Sequence, residues 1–405
     1  MSSEQNAVRF EHVDVIFGRN AAAALSLLDQ GEGRDSILAK TDSLVAVHDA
    51  SLFLNEGEIL VLMGLSGSGK SSLLRCVNGL NKVSRGKVIV HDGQTEIDVA
   101  SCGADMLRRL RRSRISMVFQ QFALMPWLTV RDNVGFGLDI RGLAKAERNA
   151  KVEKQIKLVR LDQFAEKFPH ELSGGMQQRV GLARSFATEA DILLMDEPFS
   201  ALDPLIREHL QDELLELQRA LKKTIVFVSH DLDEALKIGT RIAIMEAGKV
   251  VQFGTPEDII LNPVNDYVRQ FVASMNPLTV LKGGTLMRPA SDLTREPGSS
   301  MIQLDRAGKC RCRLDNQGKP IDLIVNGKPG QFLPYATDLT LERLGDNVMV
   351  CGTPVTPMRA AVTVRQITKR PLVLLGDNGE LIGVVGEHEL YRGMLRQTEY
   401  AKIVQ

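Results

Sequence analysis

The chain is poor in aromatic residues, at 5% with one tryptophan, and it holds no apolar run long enough to cross a bilayer. A spanning helix needs roughly 18–20 such residues, so any membrane role would require a second chain to supply the membrane part. The opening residues, Met1-Ser2-Ser3-Glu4-Gln5, offer neither a basic start nor an apolar stretch, and no export signal is expected. Five cysteines (Cys76, Cys102, Cys310, Cys312, Cys351) form no even framework of disulfides, which suits a reducing compartment. Cys310-Arg311-Cys312 has no second Cys or His pair nearby, so it reads as two same-face positions of a strand rather than a metal site. Lys plus Arg and Asp plus Glu are 50 each. The balance removes any global pull toward nucleic acid or anionic lipid.

What is present is an ordinary globular composition, 44% hydrophobic and 25% charged over 405 residues, enough for two or three domains. Val8–Phe17 and Leu44–Leu54 read as strands separated by a helical intrusion, Ala21–Thr41. Ile59–Met63, Ile115–Phe119, Ile192–Met195, Thr224–Val228 and Arg241–Met245 are short apolar runs alternating with helical patterns. That alternation predicts a mostly parallel sheet covered on both faces, an α/β fold. Residues 122–187 are almost wholly helical in pattern and predict an inserted helical lobe. The arginines 108, 109, 111, 112 and 114 lack interleaved aromatics and read as a solvated helix face. Domain limits are expected at 1–275, with a Gly/Pro/Ser/Thr-rich linker over 276–300 and a small α+β region over 301–405. Two hairpin signals, Leu314–Gly318 and Leu375–Gly379, suggest a duplicated module there.

The chemistry sits in a few phrases. Gly64-Leu65-Ser66-Gly67-Ser68-Gly69-Lys70-Ser71 follows a short strand and opens a helix, the context of a phosphate-binding loop. Its backbone N–H groups face a phosphate chain at a helix N-terminus, Lys70 reaches the terminal phosphates, and Ser71 holds Mg²⁺; Ser72 completes the nucleotide set. Asp196 and Glu197 end a buried strand beside the loop, giving a second Mg²⁺ ligand and a base for the attacking water. Gln120 and His230 each end a strand of the same sheet, Gln120 placed for metal and water, His230 for the γ-phosphate. Leu172-Ser173-Gly174-Gly175-Met176 opens a further helix and is a second phosphate binder in a domain with one phosphate loop. Head-to-tail pairing of two copies resolves this, with Ser173 and Gly175 of one copy meeting the ATP on Lys70 of the other.

This order of motifs resembles the ATP-binding subunits of ABC transporters across about residues 8–275. The resemblance implies that a P-loop NTPase with a helical subdomain uses ATP and Mg²⁺, that Asp203 in Ser200–Asp203 couples two sites, and that Phe17 stacks on adenine. It also implies that Phe122–Val134 grips the coupling helices of separate transmembrane permease subunits. Met176 departs from the more common Gln of the signature. A narrower resemblance, carried by the Ala21–Thr41 insertion, Met63–Gly69, Phe122–Pro126 and the C-terminal extension, is to the glycine betaine/proline/choline importer subfamily. It implies a peripheral subunit on the cytoplasmic face of the plasma membrane, an extracytoplasmic substrate-binding protein, no nucleic-acid partner and a quaternary amine cargo. An importer for another small solute, such as an amino acid, is the alternative. Pro371–Leu395 is similar to a cystathionine-β-synthase (CBS) module, with Gly386 and Glu389 where nucleotide-binding modules carry Thr and Asp. A degenerate CBS-like regulatory region is expected.

Overall fold

The computed structural model describes residues 6–119, 123–200, 202–273, 277–296, 300–336 and 345–395. They form two compact units, divided at Pro256.

In the first unit, aliphatic runs with no polar face become fully buried strands: β3 (Ile59–Met63), β7 (Ile192–Asp196) and β8 (Thr224–Val228). With β6 (Ile115–Val118), β9 (Arg241–Glu246) and β10 (Lys249–Gly254) they make a six-stranded sheet ordered β10-β9-β3-β8-β7-β6, parallel except for β10. A second, antiparallel sheet was not anticipated. It is ordered β2-β1-β4-β5, from β1 (Asn6–Phe17), β2 (Leu44–Asn55), β4 (Arg85–His91) and β5 (Glu96–Asp98). Helix α3 (Lys70–Val77) lies in the core between them: its Leu73, Leu74 and Val77 pack with Phe10, Val15 and Leu54 of one sheet and Leu60, Leu62 and Val226 of the other.

The helical intrusion is two helices, α1 (Ala21–Asp29) and α2 (Arg34–Thr41). After α4 (Ala104–Ser113), the helical lobe comprises α5 (Val130–Ile140), α6 (Lys145–Leu158) and α7 (Gly174–Ala187). The arginines of α4 and its end are engaged locally: Arg109 with Asp92, Arg111 with the Asn78 carbonyl, Arg114 with Glu56 and Asp191. Helices α8 (Pro204–Leu221) and α9 (Leu232–Ile238) complete the unit.

The second unit begins at Glu257 rather than after residue 275. It opens with α10 (Pro256–Leu261) and α11 (Asp266–Ala273), and Leu261 packs with Leu281, Leu286 and Met358. The expected linker over 276–300 is instead built into this core: α12 (Gly283–Leu286) buries Leu286, and Leu281 and Leu293 are also buried. Its glycines read as flexibility but serve close approach. The Gly284 N–H donates to Pro354 O at 2.9 Å, and a Cβ on Gly284 would stand 2.9 Å from the Pro354 Cβ.

The expected duplication is likewise corrected. Strands β11 (Arg288–Pro289), β16 (Gln331–Pro334), β17 (Val348–Gly352), β18 (Leu372–Leu375) and β19 (Leu381–Val385) form a mixed sheet, order β11-β19-β18-β17-β16. By contrast β12 (Met301–Gln303), β13 (Cys310–Leu314), β14 (Pro320–Val325) and β15 (Lys328–Pro329) form a purely antiparallel meander with no helix between its strands. The two hairpins therefore belong to different sheets. Helices α13 (Met358–Thr368) and α14 (Glu387–Met394) cover the other face of the mixed sheet through Ala361, Val364 and Leu390. Cys310 and Cys312 do share one buried face of β13, packed with Cys351. Burial pushes their thiols up, Cys310 to about 11 and Cys312 and Cys351 to about 12, which leaves them inert at neutral pH. Among the described residues no helix is long and apolar enough to cross a membrane.

Candidate nucleotide site

The loop from β3 into α3 turns tightly because Gly69 has φ +100° and lies so close to β2 that a Cβ there would meet Ala46 O at 2.2 Å. Lys70 folds back along this loop, its Nζ donating to Gly64 O and Leu65 O, both at 2.8 Å. Burial lowers the Lys70 pKa, against the opposing charges of Glu197 and Asp196. The Ser68 hydroxyl is buried with no hydrogen-bond partner among the described residues. Leu65, Ser66 and Gly67 are exposed, and Ser72 sits half-buried on the first turn of α3. A desolvated cation and an orphaned hydroxyl in one glycine-lined loop are the donor set of an anion site.

Fully buried Asp196 is held by two side chains on one face of α3. Ser71 Oγ donates to its Oδ1 at 2.6 Å, and Arg75 Nη2 to its Oδ2 at 2.8 Å. Arg75 escaped the motif reading; a cation five residues after the loop lysine, on the face of Ser71, is its only trace in the sequence. Glu197 has φ +48°, a left-handed conformation that turns the chain out of β7, and its N–H donates to Val228 O at 3.2 Å. Its carboxylate Oε2 lies 3.3 Å from His230 Nδ1.

Behind His230 stands a network that the sequence reading missed. Glu234 is buried and accepts hydrogen bonds from Ser229 Oγ and, at 3.0 Å, from Gln211 Nε2 of α8. Asp231 caps α9 by accepting the Glu234 N–H at 3.1 Å. The Asp-x-x-Glu spacing just after His230 is the legible signal for it.

Ser173 caps α7, its Oγ accepting the Met176 N–H at 3.4 Å, and Ser173 and Gly174 are exposed while Gly175 is half-buried. Among the described residues no hydrogen bond joins this turn to the Lys70 loop of the same chain. Asp203 is exposed at the N-cap of α8, and Phe17 is 42% exposed at the end of β1. Gln120 and Phe122 lie outside the described residues. Thus Lys70, Ser71, Asp196, Glu197 and His230 come together at the C-terminal ends of β3, β7 and β8, whereas Ser173–Gly175 does not join them.

Residues 47–200 match the ABC transporter family. The chain is 50% identical over 285 residues to the glycine betaine/proline betaine transport system ATP-binding protein ProV of Salmonella typhimurium, covering 70% of each chain. The chain belongs to the ABC transporter ATP-binding subunits. It is 47% identical over 382 residues to the glycine betaine/carnitine transport ATP-binding protein GbuA of Listeria monocytogenes, covering 93% of this chain and 95% of that one. The second unit therefore falls within the likeness to that relative. Among solved structures, a dimeric post-hydrolysis state of the ATP-binding cassette MJ0796 bound to ADP and Pi superposes with a TM-score of 0.53 at 31% identity, over 62% of this chain and 98% of that one. The fold is that of an ABC ATPase, an enzyme of the P-loop class whose nucleotide is ATP.

Proposed function

We propose that this ABC ATPase powers import of a quaternary amine osmolyte, such as glycine betaine, choline or proline betaine, through separate permease subunits. The observation that carries the ATPase chemistry is the convergence of the Lys70 loop, the Ser71–Asp196 hydrogen bond and the Glu197–His230 pair at the C-terminal ends of the central strands β3, β7 and β8. The cargo rests on the relatives' names, glycine betaine with proline betaine and with carnitine.

Two copies bind head to tail, and each ATP lies between the Lys70 loop of one and the Ser173–Gly175 turn of the other, with Asp203 at the seam. Phe17 stacks on the base. Ser71 and Asp196, hard oxygen donors 2.6 Å apart, fit a magnesium ion, with Gln120 as a further ligand. Magnesium at that position supplies charge neutralisation for the β- and γ-phosphates. Glu197 takes the proton of the attacking water, and His230, 3.3 Å from Glu197, hydrogen-bonds the γ-phosphate. Closure of the pair pulls on the permease, and hydrolysis resets it. The subunit sits peripherally on the cytoplasmic face of the membrane, and an extracytoplasmic binding protein delivers cargo to the permease. The β17-α13-β18-β19-α14 order supports reading residues 348–394 as one CBS-like regulatory module.

The test is reconstitution of the subunit with its permease partner in liposomes. ATP-dependent uptake of labelled glycine betaine, choline or proline betaine, competed by unlabelled quaternary amines and not by amino acids, supports the reading. Uptake of amino acids alone would replace it.

A further inference from the structure

A β-hairpin turns in as few as two residues, yet the β1–β2 hairpin encloses both α1 and α2. These helices add nothing to the main core. They form a cluster of their own, in which Ala24, Leu28 and Ile37 close over Ile16 and Val45. Ile16 and Val45 are paired partners near the connected end of the hairpin, and Ile16 lies beside Val15, which enters the main core. The helices therefore grip the strand ends from the side away from α3.

The residues next in line belong to the nucleotide site. Ile16 precedes Phe17, and Val45 precedes Ala46, whose carbonyl abuts Gly69 of the phosphate loop. Phe17 pairs with Leu44, and both are 42% exposed, so beyond Ile16 the strand end is only partly covered. A strand end held only by its ladder frays. A second tether reinforces the cluster: Arg85 donates to Asp29 of α1 at 2.7 Å and to the buried Asp14 of β1 at 2.6 Å.

We propose that the α1–α2 insertion is a clamp that positions Phe17 against the nucleotide base, with Ile37 and Leu28 as positioning residues acting through Ile16. The inference rests on the reading of Phe17 as the base-stacking residue. The clamp acts on the base end of the site through Phe17, whereas Ala46, which bounds the phosphate loop at Gly69, is packed in the main core with Leu73, Leu74 and Val77 of α3.

The experiment compares binding of ATP and of inorganic tripolyphosphate to the full chain by calorimetry. Aromatic stacking on a base is worth about 1–3 kcal/mol, so Phe17→Ala lowers ATP affinity about tenfold and leaves tripolyphosphate unchanged. Ile37→Ala, and independently replacement of 21–41 by an Asn-Gly turn, produce the same selective loss. If Phe17→Ala is selective but neither insertion variant is, the clamp is overturned and the stacking reading stands. Equal weakening of both ligands in the insertion variants also overturns it, since that reports general damage. If Phe17→Ala leaves the ratio unchanged, the stacking reading itself fails and the clamp with it.

Discussion

His230 Nδ1 stands 3.3 Å from Glu197 Oε2, across the ends of β8 and β7. The contact exists because Glu197 leaves its strand in a left-handed conformation, with its N–H pinned to Val228 O, two residues before His230. In the proposed role of base, Glu197 needs a fixed direction, which this pairing would give it. Glu197→Gln keeps the shape and removes the proton acceptor. ATP binding persists, ATP-dependent pairing of protomers becomes long-lived on a sizing column, and phosphate release falls about 10²–10⁴-fold. Undiminished turnover would remove Glu197 from the role of base.

Ser173 gives a cleaner probe of the pairing than Lys70 does. Its hydroxyl caps α7, and Asp is as good a cap as Ser. Ser173→Asp therefore leaves the helix intact while facing a bound triphosphate with a negative charge. ATP affinity of the isolated protomer stays near wild type, and both ATP-driven dimerisation and turnover are lost. Full activity in this variant would mean that the turn meets no nucleotide.

How much of this was legible in the sequence depends on the range of the interaction. The strands β3, β7 and β8 were read to within a residue, because a short aliphatic run without a polar face has one stable place, inside a covered parallel sheet. The Lys70 loop and Asp196-Glu197 were legible because phosphate chemistry fixes residue type at fixed spacing. The antiparallel sheet was half missed: β4, Arg85–His91, has only Val88, Val90 and His91 fully buried, a signal too weak to separate from loop. The segment 276–300 misled for a physical reason. Glycine permits both flexibility and close packing, and only the opposing Pro354–Thr356 backbone shows which applies. Arg75 acts through Asp196, 121 residues away, and Glu234 joins its local partners Ser229 and Asp231 to Gln211, 23 residues away; no local pattern encodes those two long-range contacts.

Glu234 sets a pH dependence. Burial raises its pKa above the ordinary 4.5, Asp231 adds to the rise, and Ser229, Gln211 and Arg207 oppose it without cancelling it. The folded chain thus binds this proton more tightly than the unfolded chain does. The associated stability is fully present below pH of about 4.5 and is lost as pH rises through the raised folded value. Glu234→Gln keeps a neutral, hydrogen-bonding side chain at all pH values. Thermal melting of the variant across pH 5–8 should therefore show a flatter decline than wild type. An unchanged slope would mean that Glu234 titrates as it does in water.

The unit boundary makes a prediction about truncation. Cutting after residue 275, where the sequence alone placed the limit, keeps α10 and α11 but removes the core that receives Leu261. Leu261, Val268 and Val272 are each at most 8% exposed in the whole chain. Stripping the cover from an aliphatic side chain costs about 1.5–3 kcal/mol and leaves a sticky surface. Cutting after Pro256 removes these side chains together with their cover. The chain 1–256 should bind ATP and remain monodisperse by light scattering, while 1–275 should melt earlier or aggregate. The reverse order would show that α10 and α11 pack on the nucleotide-binding unit instead, and would move the boundary back to residue 275.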